Sequence, residues 1–220
     1  AQNVDAGVWN WVGIFGMNAT KDMTKDGLKG VAQSYLFDDY WPGATETCLW
    51  KNVIGLLTEA ASVKTATPIY IEPNELGVGG KGLSEYKKSI NFLDPWPGGW
   101  WRLSDIVDLE ISSTKSFIQT SYLHNKAILK FRNDIAKSEV MKGKTEAPYF
   151  YVLPKEQRDQ SELVDLVRLM NEHGIDVFEL IEKAQIGFHT YQVGDIVIPM
   201  AQAFRPFIKE VMEKRYFKNA

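Results

Sequence analysis

The chain has 220 residues, 45% hydrophobic and 24% charged, which is the composition of a globular protein and the length of one large domain or two small ones. Its net charge of −3, with no basic run interleaved with aromatics, leaves no electrostatic footprint for a nucleic-acid partner. The single cysteine, Cys48, excludes an intrachain disulfide. No apolar run approaches the roughly 20 residues that a membrane-spanning helix needs, so no membrane partner is expected.

The chain opens on Val8-Trp9-Asn10-Trp11-Val12-Gly13-Ile14-Phe15-Gly16. Termini tend to be exposed and mobile, so this aromatic opening leads us to expect that the natural chain starts upstream of Ala1. Val8, Val12, Phe15 and Ala19 recur at helical spacing and predict a helix over 8–26, with Gly27 and Gly30 as stops. Val31 to Phe37 reads as a short strand and 38–47 as a loop around Pro42-Gly43. Val53-Ile54-Gly55-Leu56-Leu57 has the continuous apolar pattern of a strand buried on both faces. Residues 68–103 gather most of the proline and glycine into a long excursion whose aromatics argue against disorder. Ser104 is placed to cap one long helix to about Lys142, with Ile106, Leu109, Phe117, His124, Ile128, Phe131 and Ile135 on its inner stripe and Gly143 as its stop.

The texture then changes, and a boundary is expected near residue 145. Tyr149 to Leu153 reads as a strand. Ser161 caps a helix with Leu163, Val164, Val167 and Met170 on one face, ended by Gly174, and Ile175 to Ile181 follows as a second strand. This β-α-β order predicts a parallel pair with a helical crossover. Phe188 to Gln192 and Asp195 to Pro199 read as a hairpin around Val193-Gly194, and 204–214 as a final amphipathic helix.

The chemistry is sparse. Zinc catalysis needs about three protein ligands and an open position. The three histidines, His124, His173 and His189, belong to no paired ligand motif, so no catalytic metal is expected on this chain by itself. His124 falls on a helix's inner stripe, and His173 in a helix C-terminal turn where the ring can complement the dipole. Cys48 has no neighbouring histidine, and Gly77-Val78-Gly79-Gly80-Lys81-Gly82 lacks the hydroxyl residue of a phosphate loop. One carboxylate stands out. Glu59 ends the predicted buried strand in Thr58-Glu59-Ala60-Ala61-Ser62, where a raised pKa would suit a general base, although most strand-end glutamates are simply solvated. Trp96, Trp100 and Trp101 read first as a hydrophobic plug between the two parts and second as a sugar-stacking platform.

Tyr40-Trp41-Pro42-Gly43, Trp50-Lys51-Asn52 and Ile54-Gly55-Leu56-Leu57-Thr58-Glu59 together resemble the last part of the catalytic domain of carboxypeptidase A-like zinc peptidases. In that family a final strand delivers a Thr-Glu or Phe-Glu pair whose Glu activates a zinc-bound water, and an earlier Tyr sits on a loop over the substrate. By position Glu59 matches the Glu and Tyr40 the Tyr, with Tyr35 a close competitor. Ala66-Thr67-Pro68-Ile69 and the run from Asn91 to Arg102 resemble a bacterial multidomain branch, in which a class I glutamine amidotransferase-like domain follows the peptidase domain. Tyr149 to Pro154 and the β-α-β after it look like the start of that domain. The departures are definite. The family's His-x-x-Glu pair, later His and carboxylate-gripping arginines are absent and would lie upstream of Ala1. Leu153-Pro154-Lys155-Glu156 stands where an amidotransferase nucleophile would be, so glutamine hydrolysis is not expected.

The resemblance implies an α/β chain in three parts. Residues 1–66 would be the C-terminal part of a carboxypeptidase-like catalytic domain, 67–145 a connecting element with a long helix, and 146–220 a partial flavodoxin-like α/β unit. It also implies a secreted or periplasmic protein that hydrolyses C-terminal peptide bonds. Its zinc would be held outside this chain, Glu59 would act as base, and Tyr40 would hydrogen-bond the peptide substrate. The 220 residues alone would be inactive and hold no cofactor. The alternative is a non-catalytic carbohydrate- or peptide-binding module. If Ala1 lies inside a catalytic domain, Val8, Trp9, Trp11, Phe15 and Leu56 should form an exposed patch through which the chain self-associates.

Overall fold

A computed structural model describes residues 3–33, 47–78 and 85–214; Tyr35 and Tyr40 lie outside them. The chain is mixed α/β and divides into two compact units, each discontinuous in sequence. One comprises Ala1–Asp5, Trp41–Val53 and Lys130–Ala220, the other Ala6–Tyr40 and Ile54–Leu129.

In the second unit, α1 (Ala6–Lys25) packs against α3 (Leu103–Leu123). The expected start and stop of α1 hold. Gly27 adopts φ +84°, the Gly27 N–H donates to the Thr24 carbonyl, and the Leu28 N–H reaches back to Met23 at 2.9 Å. That paired closure uses the left-handed conformation that glycine adopts without penalty. On the α3 side of this contact the buried residues are small and polar. Ser112, Ser113, Ser116 and Thr120 are the buried residues of α3. Ser116 donates to Asp22 at 2.6 Å, Ser112 to Asp26 at 2.7 Å, and the Asn18 amide to Thr120 at 3.2 Å. Burial pushes the Asp22 carboxyl up, but the bonds from Ser116 and Lys21 outweigh it and hold its pKa below the ordinary value. Phe15 meets Phe117 beside this seam with ring centroids 6.2 Å apart.

This unit also holds a two-stranded ladder. β1 (Ile69–Ile71) pairs antiparallel with β2 (Gly99–Trp101), Tyr70 opposite Trp100 and Ile69 opposite Trp101. The proline- and glycine-rich excursion is therefore ordered around a short ladder. The strand expected from Val31 is reduced, within the described residues, to an isolated bridge between Ala32 and Phe92; residues 34–37 lie outside them.

The single long helix expected from Ser104 is two helices. α3 ends at Leu123, His124 is its cap, and α4 runs from Asn125 to Thr145. The α3 N-cap is Arg102, whose backbone N–H donates to the Asp105 carboxylate at 2.7 Å. Gly143 does not stop the helix. It lies buried inside α4, in the other unit, where the backbone at Met200 crosses it.

That first unit carries the larger apolar core: Leu49, Trp50, Ile135, Met170, Ile175, Ile198, Met200, Phe207 and Ile208 are all buried. Its sheet has the order β3 (Phe150–Leu153), β7 (Ile196–Pro199), β4 (Phe178–Glu179), with both pairings antiparallel. The expected parallel pair is thus corrected. β3 and β4 run the same way, joined through α5 (Gln160–Glu172), but β7 lies between them and supplies both ladders. The expected hairpin is corrected too. β5 (Ala184–Ile186) pairs with β6 (His189–Tyr191) across Gly187-Phe188, and β7 goes to the central sheet. At Val193-Gly194 the chain instead turns around Asp195, whose carboxylate accepts from the Gln192 and Lys155 backbone N–H groups at 2.8 and 3.0 Å and is held below its ordinary pKa by them. α5 is capped by Asp159, two residues before the expected cap Ser161, and its Val164 is exposed. α6 (Arg205–Met212) closes the unit on the short helix α2 (Thr47–Trp50).

Candidate functional site

Glu59 lies in an irregular segment of the second unit and is exposed. Residues 53–60 join no ladder among the described residues, and Val53 and Leu57 are 39% and 46% exposed, so the expected strand buried on both faces is not formed. An apolar run signals only that burial is available; a strand also needs neighbours to take its N–H and C=O groups. Two residues on, the Ala61 carbonyl accepts the Trp101 indole N–H at 2.8 Å, which fastens this segment to β2. Tyr40, the other candidate site residue, falls outside the described residues.

The three tryptophans divide by strand alternation. Trp96 and Trp101 pack edge to face at 5.7 Å, and the Tyr86 hydroxyl donates to the Trp96 carbonyl at 2.9 Å. Burial is the larger influence on that hydroxyl and raises its pKa above the ordinary value. Trp100 points the other way and is 52% exposed. Tyr70 stands against its edge at 5.4 Å, and the Arg102 guanidinium lies 5.5 Å from its ring centre. Two exposed rings from paired strands, set edge to face with a cation over one of them, present an apolar surface edged by hydrogen-bond donors. Alternation in a strand is legible in sequence, so the opposed directions of Trp100 and Trp101 could have been read there.

The histidines are dispersed. His124 sits edge-on to Trp11 at 5.6 Å, and His189 is exposed beside Tyr191. His173 stacks on Phe207 at 4.4 Å with its Nδ1 buried and unpaired. Burial and then Lys51 lower its pKa below the ordinary 6.5, which disfavours its charged form. Among the described residues no three His, Cys, Asp or Glu side chains converge, so they do not fit a zinc ion.

Sequence reasoning missed the buried ionic cluster of the first unit. Arg205 reaches Glu139 at 3.3 Å and Glu146 at 3.5 Å; Glu139 also accepts from Lys142, and Lys142 stands 3.8 Å from Asp5. Glu139 and Arg205 are both buried. The pair joins α4 to α6, far apart in sequence, and no local spacing announces it. Nor does a local pattern announce Asn52, which turns the chain at φ +55° and donates its side-chain amide to the Ala203 carbonyl at 2.7 Å.

Comparison with protein families, with characterised proteins and with solved structures found no match.

Proposed function

We propose that this chain is part of a zinc metallocarboxypeptidase-like protein that hydrolyses C-terminal peptide bonds. Its contribution is the general-base carboxylate of Glu59; the metal ligands lie outside these 220 residues. The observation that supports this reading is the state of the Val53-to-Glu59 segment: a strongly apolar run, half open to solvent and without a ladder, that leads to an exposed carboxylate. Such a run is built to be covered, and covering it would place the carboxylate at the rim of a drier surface, where proton transfer to and from a reacting water is effective. In the same reading, residues 146–220 belong to the amidotransferase-like, flavodoxin-like unit, with a packing or binding role.

The test is Glu59→Gln in the protein that contains both this chain and the zinc ligands. Turnover of a C-terminal peptide substrate should fall about 10²–10⁴-fold. The unfolding midpoint should stay unchanged, because the side chain is exposed. Near-normal turnover would remove Glu59 from the role.

One observation favours a second reading, a carbohydrate- or peptide-binding module without catalysis: Trp100 and Tyr70 are exposed together, with Arg102 over the indole. In that reading Trp100→Ala weakens oligosaccharide binding measured by calorimetry, and no turnover is found in the full-length protein.

A further inference from the structure

Val8 and Phe15 are buried, so the exposed N-terminal patch expected to drive self-association does not include them. The unbalanced feature of the molecule lies in the first unit, at Phe204, the N-cap of α6. Lys51 Nζ stands 4.9 Å from the centre of its ring, and the Arg132 guanidinium 5.5 Å from the same centre. Both cations are half-buried, and neither enters an ion pair among the described residues. A ring attracts a cation through its quadrupole but cancels none of its charge. The chain is not short of acids, with 28 against 25 basic residues. Elsewhere in this unit Arg205 and Lys142 are matched by carboxylates.

The surroundings anchor these cations and stay positive. Lys51 stands between buried Trp50 and buried Asn52, and the Asn52 amide donates to the Ala203 carbonyl, next to Phe204, at 2.7 Å. Gly174, just past α5, lies against the same ring: a Cβ there would stand 3.6 Å from it. Its neighbour His173 feels Lys51 more strongly than Glu172, which acts in the opposite sense. Positive charge therefore goes uncompensated at this corner. An ammonium and a guanidinium both bind oxyanions through charge-assisted hydrogen bonds. No more than the sum of their two distances from the ring centre separates the charges. A phosphate reaches both when they share a side of the ring. A diphosphate, longer by one phosphoryl unit, reaches them from across it.

We propose that Lys51 and Arg132, set against the ring of Phe204, form a binding site for a diphosphate or phosphate ion, with His173 at its border. The ring keeps the two charges near each other without the ion, and the ion removes the repulsion that remains. This does not rest on the peptidase reading.

Inorganic diphosphate titrated into the 220-residue chain at constant ionic strength, followed by nuclear magnetic resonance of the His173 ring, tests it. The wild type should show a saturable change with a dissociation constant of about 1 mM or lower. The His173 midpoint should rise, because the bound anion offsets Lys51. Lys51→Gln and Arg132→Gln should each weaken binding about tenfold or more. Lys51→Arg keeps the charge and should lose less than Lys51→Gln. Both side chains are half-buried at the surface, so circular dichroism should be unchanged in all three variants. A wild type without a saturable change overturns the proposal, whatever the variants do. Equal binding by the wild type and the Lys51→Gln/Arg132→Gln double variant overturns it too, and marks an adventitious ion only.

Discussion

Gly143 of α4 passes so close under Met200 that a Cβ on the glycine would stand 2.1 Å from the Met200 carbonyl oxygen. Backbone on both sides cannot yield as a flexible side chain can. Gly143→Ala should therefore destabilise the chain by about 3 kcal/mol, more than the helix propensity of alanine returns. Urea unfolding of the variant checks this, and unchanged or increased stability would show that the β7–α6 connection relaxes freely.

The Arg205–Glu139 pair should behave asymmetrically. Arg205→Met leaves the buried Glu139 carboxylate with Lys142 as its remaining cation and should cost about 1–3 kcal/mol. Adding Glu139→Gln removes that charge and should recover much of the loss, while Lys142 and Glu146 lie at the edge of the pair. If the double variant unfolds as easily as Arg205→Met alone, packing rather than the half-compensated charge sets the cost.

His173 gives the stability a pH dependence of known sign. Burial and Lys51 lower its pKa below 6.5, so between the folded value and 6.5 the unfolded chain binds more protons. Its contribution is full above 6.5 and is lost as the pH falls through that window. The unfolding free energy should fall on acidification from neutral pH, and the fall should be smaller in His173→Phe, which keeps the stack on Phe207. A nuclear magnetic resonance titration of His173 with a midpoint above 6.5 would reverse the sign.

Trp100 and Trp101 are neighbours with opposite duties. Trp101→Ala removes the packing on Trp96 and the bond to Ala61, and should cost about 2 kcal/mol or more. Trp100→Ala removes an exposed ring and should change stability by no more than about 0.5 kcal/mol. Equal losses at the two positions would mean that Trp100 is covered in solution.

The amino-acid order by itself determined the features that neighbouring residues create among themselves. The helix closed by Gly27, the helix of residues 160–172 and the terminal helix beginning beyond Phe204 were all legible, because periodicity and capping act within a turn or two. The tertiary structure alone decided which faces are inside and which strands meet. Val53 to Leu57 carries the composition of a buried strand but finds no ladder among the described residues, and β7 leaves the local hairpin to pair between β3 and β4. Gly143 has the residue type of a helix stop but serves as clearance for Met200. On α3 the apolar residues that periodicity assigns to the core lie in part outside, because hydrogen bonds from Ser116 to Asp22 and from Ser112 to Asp26, and one that Thr120 accepts from Asn18, hold the polar face inward. Each of these outcomes depends on groups distant in the chain competing for the same surface or the same hydrogen bond, and local sequence carries no record of that competition.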